Sequence, residues 1–375
     1  MSEIIRTLRA EEAEEFKQFL VRSYGFWPGF MEERYPDRHG TLLEDLECFL
    51  VLERDGKIVS HVATFPMDLV VGLARIKCGG VGAVATLPEE RGKGYMGRLM
   101  RESVKRMNDE GYSLSVLWGD QQRYRTFGYE TCGVKYVLHV TQRALQWVGI
   151  KPAELRELDP RTRAAVEHVA PRHEALRFRV ERPRLALKLQ RGDVRLFVGD
   201  DDYLVTGKDW GGTMDVKEIY SGSGREASLL LAMMNMTFSG GARVEVGPGQ
   251  TDVIERLLAV TAGWQAYPQG MFRIINWPML LRDLQPLLEP AAQGLQPFEL
   301  SVGCQWEETT TWATLAWDGT SLSVSEGKGA AEAVEMDVQA LTAVVLGGPH
   351  PHGDKLGPVG RLFPIPLHVP ALDHV

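Results

Sequence analysis

At 375 residues the chain is longer than one hydrophobic core normally serves, and two or three cores are expected. With 44% hydrophobic and 25% charged residues it has the make-up of a packed globular protein, which excludes disordered, collagen-like and fibrous classes. A net charge of −8 argues against a nucleic-acid partner, because binding a phosphate backbone rests on basic surface.

In chain order, Ile4 to Leu8 reads as a short strand, and Ala10 to Val21 as a helix with Ala13, Phe16, Phe19 and Leu20 on one face. Phe49 to Leu52 and Ile58 to Val71 flank Asp55-Gly56, a dipeptide suited to a tight hairpin. Arg75 to Thr86 is a further strand. A helix striped by Leu99, Met100, Val104 and Met107 follows and stops at Gly111, and Leu114 to Trp118 is a buried strand. After Thr141 the mixed α/β pattern restarts. A helical stretch over Pro160 to Gln190 precedes strands at 194–198, 203–206 and 214–220, a helix at 225–236, a strand at 242–246, a helix at 251–262 and a strand at 271–275. Within it, Arg161 to Arg184, interleaved with acids, reads as a solvated helical face.

From Leu295 onward the pattern changes to a small meander, 298–302, 312–317 and 321–324, with a turn at Asp318-Gly319 and a helix over Val338 to Leu346. This tail carries ten acidic residues against three basic ones, and with the Pro- and Gly-rich stretch 290–297 before it, it reads as a separate domain. No apolar run reaches the roughly 18 residues that span a bilayer, and the acidic start MSEIIRTLRAEEAEEF is unlike a signal peptide, so a cytoplasmic protein with no membrane partner is expected. Cys48, Cys78, Cys132 and Cys304 are too sparse for a disulfide framework and are expected reduced and mostly buried. His350, His352 and Asp354 have a spacing a metal could use, but in GGPHPHGD they read as a surface loop, and no metal is expected. His61 and His139 fall on strand patterns and are expected to be packed.

Between a strand and a helix lies Arg91-Gly92-Lys93-Gly94-Tyr95-Met96-Gly97. Glycines there let the backbone approach a ligand, and the free N–H groups of a helix's first turn favour a pyrophosphate. Gly92-x-Gly94-x-x-Gly97, with Asp120 further on, satisfies a dinucleotide fingerprint, which would make the chain an NAD(P)-dependent oxidoreductase. LPEER intervenes between strand and glycines, however, and a complete helix-and-hairpin unit precedes them. Val84-Ala85-Thr86-Leu87-Pro88 followed by Arg91-Gly92-Lys93-Gly94 resembles instead the acyl-CoA motif of the GNAT N-acetyltransferases, with Met96 where that motif commonly has Gly or Ala.

Leu117 to Asp120, followed by Arg123-Tyr124-Arg125-Thr126-Phe127-Gly128-Tyr129, is similar to a signature of the Eis-like (enhanced intracellular survival) branch. Met271 to Pro278 and the terminus Asp373-His374-Val375 are similar to that family's second and third domains. The resemblance implies an α/β (α+β) architecture: a catalytic GNAT domain over 1–145, a second GNAT-like domain without cofactor over 146–292, and a sterol-carrier-like domain over 293–375, in a homo-oligomer, a hexamer being one form. It implies acetyl transfer from acetyl-CoA, as co-substrate, to a primary amine of a small molecule or a lysine side chain. Val84, Ala85, Thr86, Arg91, Gly92, Lys93, Gly94, Tyr95, Met96, Gly119 and Asp120 would then hold acetyl-CoA. Tyr124 would be the general acid and the terminal carboxylate of Val375 the general base. Phe26, Trp27, Phe30 and Glu32, in an aromatic segment after the first helix, would line the amine pocket. A non-catalytic lipid-binding or scaffold protein with a vestigial nucleotide site is the competing class.

Overall fold

A computed structural model describes residues 2–329, 332–348 and 353–375. Two units emerge from it: Met1–Cys132 with Gly270–Ile365 and Val375, and Gly133–Gln269 with Pro366–His374. The first opens with β1 (Glu3–Thr7), α1 (Ala13–Tyr24), the short α2 (Phe30–Arg34), β2 (Phe49–Arg54), β3 (Lys57–Val71) and β4 (Ala74–Thr86). Then come α3 (Tyr95–Asp109), β5 (Leu114–Leu117), α4 (Gln121–Tyr124) and the start of β6 (Glu130–Thr141). Neighbours β1 to β4 pair antiparallel, and β5 joins β4 in parallel. Asp55 and Gly56 both take positive φ, +47° and +79°, the mirror-image turn that matches strand twist in a two-residue hairpin.

The amphipathic stripes of α1 and α3 close this core. Phe16, Phe19 and Leu20 from α1 and Leu99, Met100 and Met107 from α3 are buried with Phe49, Leu52 and Phe65 of the sheet. All four cysteines are buried and free. The same unit holds a four-stranded sheet of Phe298–Trp306, Thr309–Trp317, Leu322–Glu326 and Glu332–Asp337, the last pairing in parallel with the first. Trp277, at the start of the helix Trp277–Ala292, is buried and donates from Nε1 to the Val302 carbonyl at 3.0 Å. The parallel fourth strand is absent from the meander expected from sequence, because its segment EAVEMD carries three exposed acids, Glu332, Glu335 and Asp337, and lacks a hydrophobic run.

The second unit has its own core of Leu138, Phe197, Leu204, Val216, Leu230 and Val244. Its strands Asp202–Asp209 and Thr213–Ser221 pair antiparallel, and a helix, Glu226–Thr237, leads to Gly241–Val246, parallel to Thr213–Ser221. The first unit has the same connectivity in β3, β4, α3 and β5.

Two expectations are corrected here. The Arg-rich stretch is not one solvated helix: helix Arg163–Glu174 gives way to strand Phe178–Val180 and the short helix Leu185–Lys188, and Arg179 and Arg182 are buried. Arg182 is held between carboxylates, with Nη2 at 2.6 Å from Glu218 and 2.7 Å from Asp373, while Lys188 reaches Asp373 at 2.8 Å. Charge periodicity cannot reveal partners so distant in sequence. The helix expected over 251–262 ends at Leu258, and the β-rich run Thr261–Ile274 forms one long strand instead.

Candidate active site

The central feature is a fork between two parallel strands. β4 pairs with β5 from Cys78 opposite Leu114 to Gly80 opposite Val116, after which β4 continues along β3 alone. A register slip on β3 between His61 and Ala63 leaves Ala83 and Val84 together facing Val62, and Ala83 takes φ +49°. Such a bulge re-aims the strand. A non-glycine residue at positive φ costs about 1–2 kcal/mol, which the surrounding pairing must offset.

Val375 lies in this fork. Its carboxyl carbon is 3.1 Å from where a Cβ on Gly82 would stand, and its Cγ2 is 3.0 Å from the same point on Gly80. Val375 packs against the first unit's core. Sequence reasoning named Val375 but passed over Gly79, Gly80 and Gly82. Three glycines in one β-rich run were the available signal, since glycine inside a strand marks a bulge or a close backbone approach.

Beyond the bulge, β4 and the glycine-rich turn enclose a cleft of about 510 Å³. Val84, Ala85, Thr86, Arg91, Gly92, Gly94, Tyr95 and Met96 all line it, together with Tyr24, Gly97 and Arg123. Gly92 and Gly94 sit at φ +80° and +79°, and Gly94 is the N-cap of α3, so the first-turn amides of that helix open onto the turn. Arg91 ties the cleft walls together by donating to the Ser23 carbonyl at 2.9 Å and the Thr86 carbonyl at 3.3 Å. Tyr24 donates from its hydroxyl to the Val84 carbonyl at 2.9 Å.

Three expected cofactor residues lie outside this lining. Lys93 bonds Glu90 at 2.7 Å, so its charge is already partnered. Asp120 caps α4, one of its carboxylate oxygens accepting from the Gln122 amide at 3.0 Å. Gly119 is packed under the Tyr124 ring, 2.4 Å from Cε2 were a Cβ present, and its role is to admit that ring.

Tyr124 is buried, with its ring edge-on to Tyr129 at 6.4 Å. Burial raises its phenol pKa above the ordinary value, opposed by the neighbouring Arg123. The turn that carries it is held from the far end of the unit: Gln339 donates to the Arg125 carbonyl at 2.9 Å, and Arg273 donates to the Phe127 carbonyl.

Phe26, Trp27, Phe30 and Glu32 meet in a second cavity, of about 560 Å³, whose lining also includes Glu14, Lys17, Met31 and His39. Phe26 lies 4.1 Å from Phe30 and stacks on Tyr24 at 5.3 Å between centroids. Tyr24 faces the first cavity, so the Tyr24–Phe26 stack forms part of the wall of each. His61 is packed, as expected: fully buried, it donates from Nδ1 to the Leu50 carbonyl at 3.1 Å and lies between Phe16 and Phe49. His350 and His352 lie outside the described residues.

Residues 4–132 match the family model described as an acetyltransferase (GNAT) domain. The uncharacterized N-acetyltransferase YjhQ of Escherichia coli K12 is 26% identical over 129 residues, 32% of this chain and 66% of that protein. Among solved structures, a GCN5-related N-acetyltransferase from Kribbella flavida superposes over 100% of this chain and 98% of its own, with TM-score 0.74 and 18% identity. Eis1 from Mycobacterium abscessus does so over 96% and 92%, with TM-score 0.65 and 18% identity. At these identities the structural likenesses establish the mixed α/β fold. No described helix is long and apolar enough to cross a membrane.

Proposed function

We propose that the chain is an Eis-like, acetyl-CoA-dependent N-acetyltransferase acting on a primary amine of a small molecule or a lysine side chain. The observation that carries this reading is the position of the Val375 carboxyl group at the β4/β5 fork, next to a cleft lined by the β4 backbone and the α3 N-terminus. The amides of Gly92 to Gly97 suit a diphosphate, and the backbone of Val84 to Thr86, leaving the sheet at the bulge, suits an extended amide-bearing arm.

Acetyl transfer moves one proton from the amine and delivers one to the departing thiolate. The Val375 carboxylate accepts the amine's proton as nitrogen attacks the thioester carbonyl. The carbon–sulfur bond then breaks, and Tyr124 protonates the sulfur. The amine pocket is the aromatic cavity, with Glu14 and Glu32 supplying attraction for a cationic acceptor. Three domains, divided near residues 145 and 292, and a homo-oligomer in the cytoplasm complete the proposal. The corresponding turn of the second unit supports its lack of cofactor. Asp201 and Asp202 flank Gly222 and Arg225 there, and those acids oppose a diphosphate.

Isothermal titration of the intact protein with acetyl-CoA, followed by a screen for free CoA release over a panel of amines, tests this reading. Absence of acetyl-CoA binding overturns it, and so does binding without any amine-dependent release.

A further inference from the structure

The aromatic cavity is lined by a buried polar group that no described residue satisfies. His39 lines the aromatic cavity, is 5% exposed, and its Nδ1 is buried with no hydrogen-bond partner among the described residues. Its ring is walled by Phe49, Phe65 and Tyr35 at centroid distances of 5.7, 6.1 and 6.3 Å. Burial lowers its pKa to about 4, so at neutral pH the ring is uncharged and offers one N–H and one lone pair. A buried imidazole nitrogen without a partner is costly; His61, in the same core, satisfies Nδ1 on the Leu50 carbonyl and likewise leaves its Nε2 unpartnered, but unlike His39 it does not line the cavity.

A cavity of about 560 Å³ walled by Phe26, Trp27 and Phe30 has the size and surface for an aromatic or similarly bulky amine. Glu32 and Lys17, 3.9 Å apart, and Glu14 bring charge to the α1 side of the cavity. His39 places a neutral donor and acceptor among apolar rings. We infer that His39 is a specificity-determining residue that selects acceptors carrying, besides the reacting amine, a neutral polar group such as a hydroxyl to bond its imidazole. This rests on the aromatic cavity being the amine site. A pocket built around an otherwise unpaired polar group discriminates by orders of magnitude against a ligand that leaves it unpaired.

The test uses tyramine and phenethylamine, primary amines that differ only in the hydroxyl remote from the amine. The intact enzyme is expected to favour tyramine at least tenfold in kcat/KM. In His39→Phe, which keeps an aromatic ring among Phe49 and Phe65, that ratio should fall to near one with the KM for acetyl-CoA unchanged. His39→Asn, which restores a hydrogen-bonding group, should recover part of it. A wild-type ratio near one, or a ratio that His39→Phe does not alter, overturns the inference. Binding of the two amines in the absence of acetyl-CoA, followed by isothermal titration, separates this from the proposed function: selective binding lost in His39→Phe upholds the role of His39 even if no acetyl transfer occurs, and equal binding of both amines refutes it.

Discussion

The carboxyl carbon of Val375 stands 3.1 Å from the point a Cβ on Gly82 would occupy, so the end of the chain and the middle of β4 are mutually fitted. Gly82 has no positive φ, and its lack of a side chain serves space and not backbone freedom. Gly82→Val therefore leaves the strand conformation accessible and pushes the carboxylate out of the fork. We expect kcat for amine acetylation to fall at least tenfold while acetyl-CoA affinity, measured by calorimetry, changes by less than about threefold. Full turnover in this variant would show that the carboxylate does not act as the base.

Tyr124→Phe removes one hydroxyl from a ring fixed by Gly119 and Tyr129. General-acid assistance contributes about 10²–10⁴ in rate, and a loss of that order in kcat with unchanged acetyl-CoA binding is expected. Because burial raises the phenol pKa, the wild-type proton donor stays loaded through the neutral and mildly alkaline range. A kcat profile whose alkaline limb begins well below the ordinary tyrosine value would contradict the assignment.

The succession of elements in the first unit and its glycine-rich turn were legible because they depend on local signals: alternation in β2 to β4, the stripe of α3, and the glycines that the structure holds at φ +80° and +79°. What escaped the sequence depends on partners far along the chain. Arg182 looks like a surface charge until Glu218 and Asp373 are beside it. Asp120 reads as a ribose ligand in the sequence, whereas in the structure it caps α4 through the Gln122 amide. His39 drew no notice because a single histidine in an irregular loop has no pattern. The fork itself was only half visible: the terminal carboxylate came from a family resemblance, and Gly80 and Gly82, which make room for Val375, carry no motif beyond glycine inside a strand.

Two buried histidines set the acid limit of the first unit. Burial holds His61 at about 3 and His39 at about 4, below the unfolded value of about 6.5. Between those values and 6.5 the unfolded chain binds more protons than the folded one, so stability is fully present above about pH 6.5 and is lost as pH falls. His61→Phe, placed between Phe16 and Phe49, gives up the bond to Leu50 but also removes the unpartnered Nε2. Urea unfolding should show stability at pH 7 within about 1 kcal/mol of wild type and a pH slope between 6 and 4.5 reduced by about 1.4 kcal/mol per pH unit. An unaltered slope would mean that His61 is already charged or solvated in the fold.

In the second unit, Arg182, Lys188, Glu218 and Asp373 form a balanced buried cluster, completed by Tyr203, which donates to Glu218 at 2.7 Å, and by His173, which accepts from Arg182 at 3.2 Å. Burial alone would raise both carboxyl pKa values, and Arg182 more than reverses this, so both are held well below the carboxylate range. Their contribution is present above the unfolded values of about 4 and is lost as pH falls below them. Arg182→Leu leaves two buried carboxylates facing Lys188 alone, at a cost of about 3–5 kcal/mol at pH 7. It also reverses the sign of these acids' own contribution to the pH dependence. With the cation gone, burial dominates and the folded-state pKa of at least one acid rises above its unfolded value. Stability of the variant should then fall less steeply than that of the wild type as pH is lowered from 7 toward 5, where burial of His39, His61, His368 and His374 costs both proteins stability. Adding Glu218→Gln removes the uncompensated charge and should recover part of the loss at pH 7. Denaturant midpoints of the single and double variants across this range decide the matter: equal pH slopes for wild type and Arg182→Leu would show that the guanidinium does not hold these acids ionised.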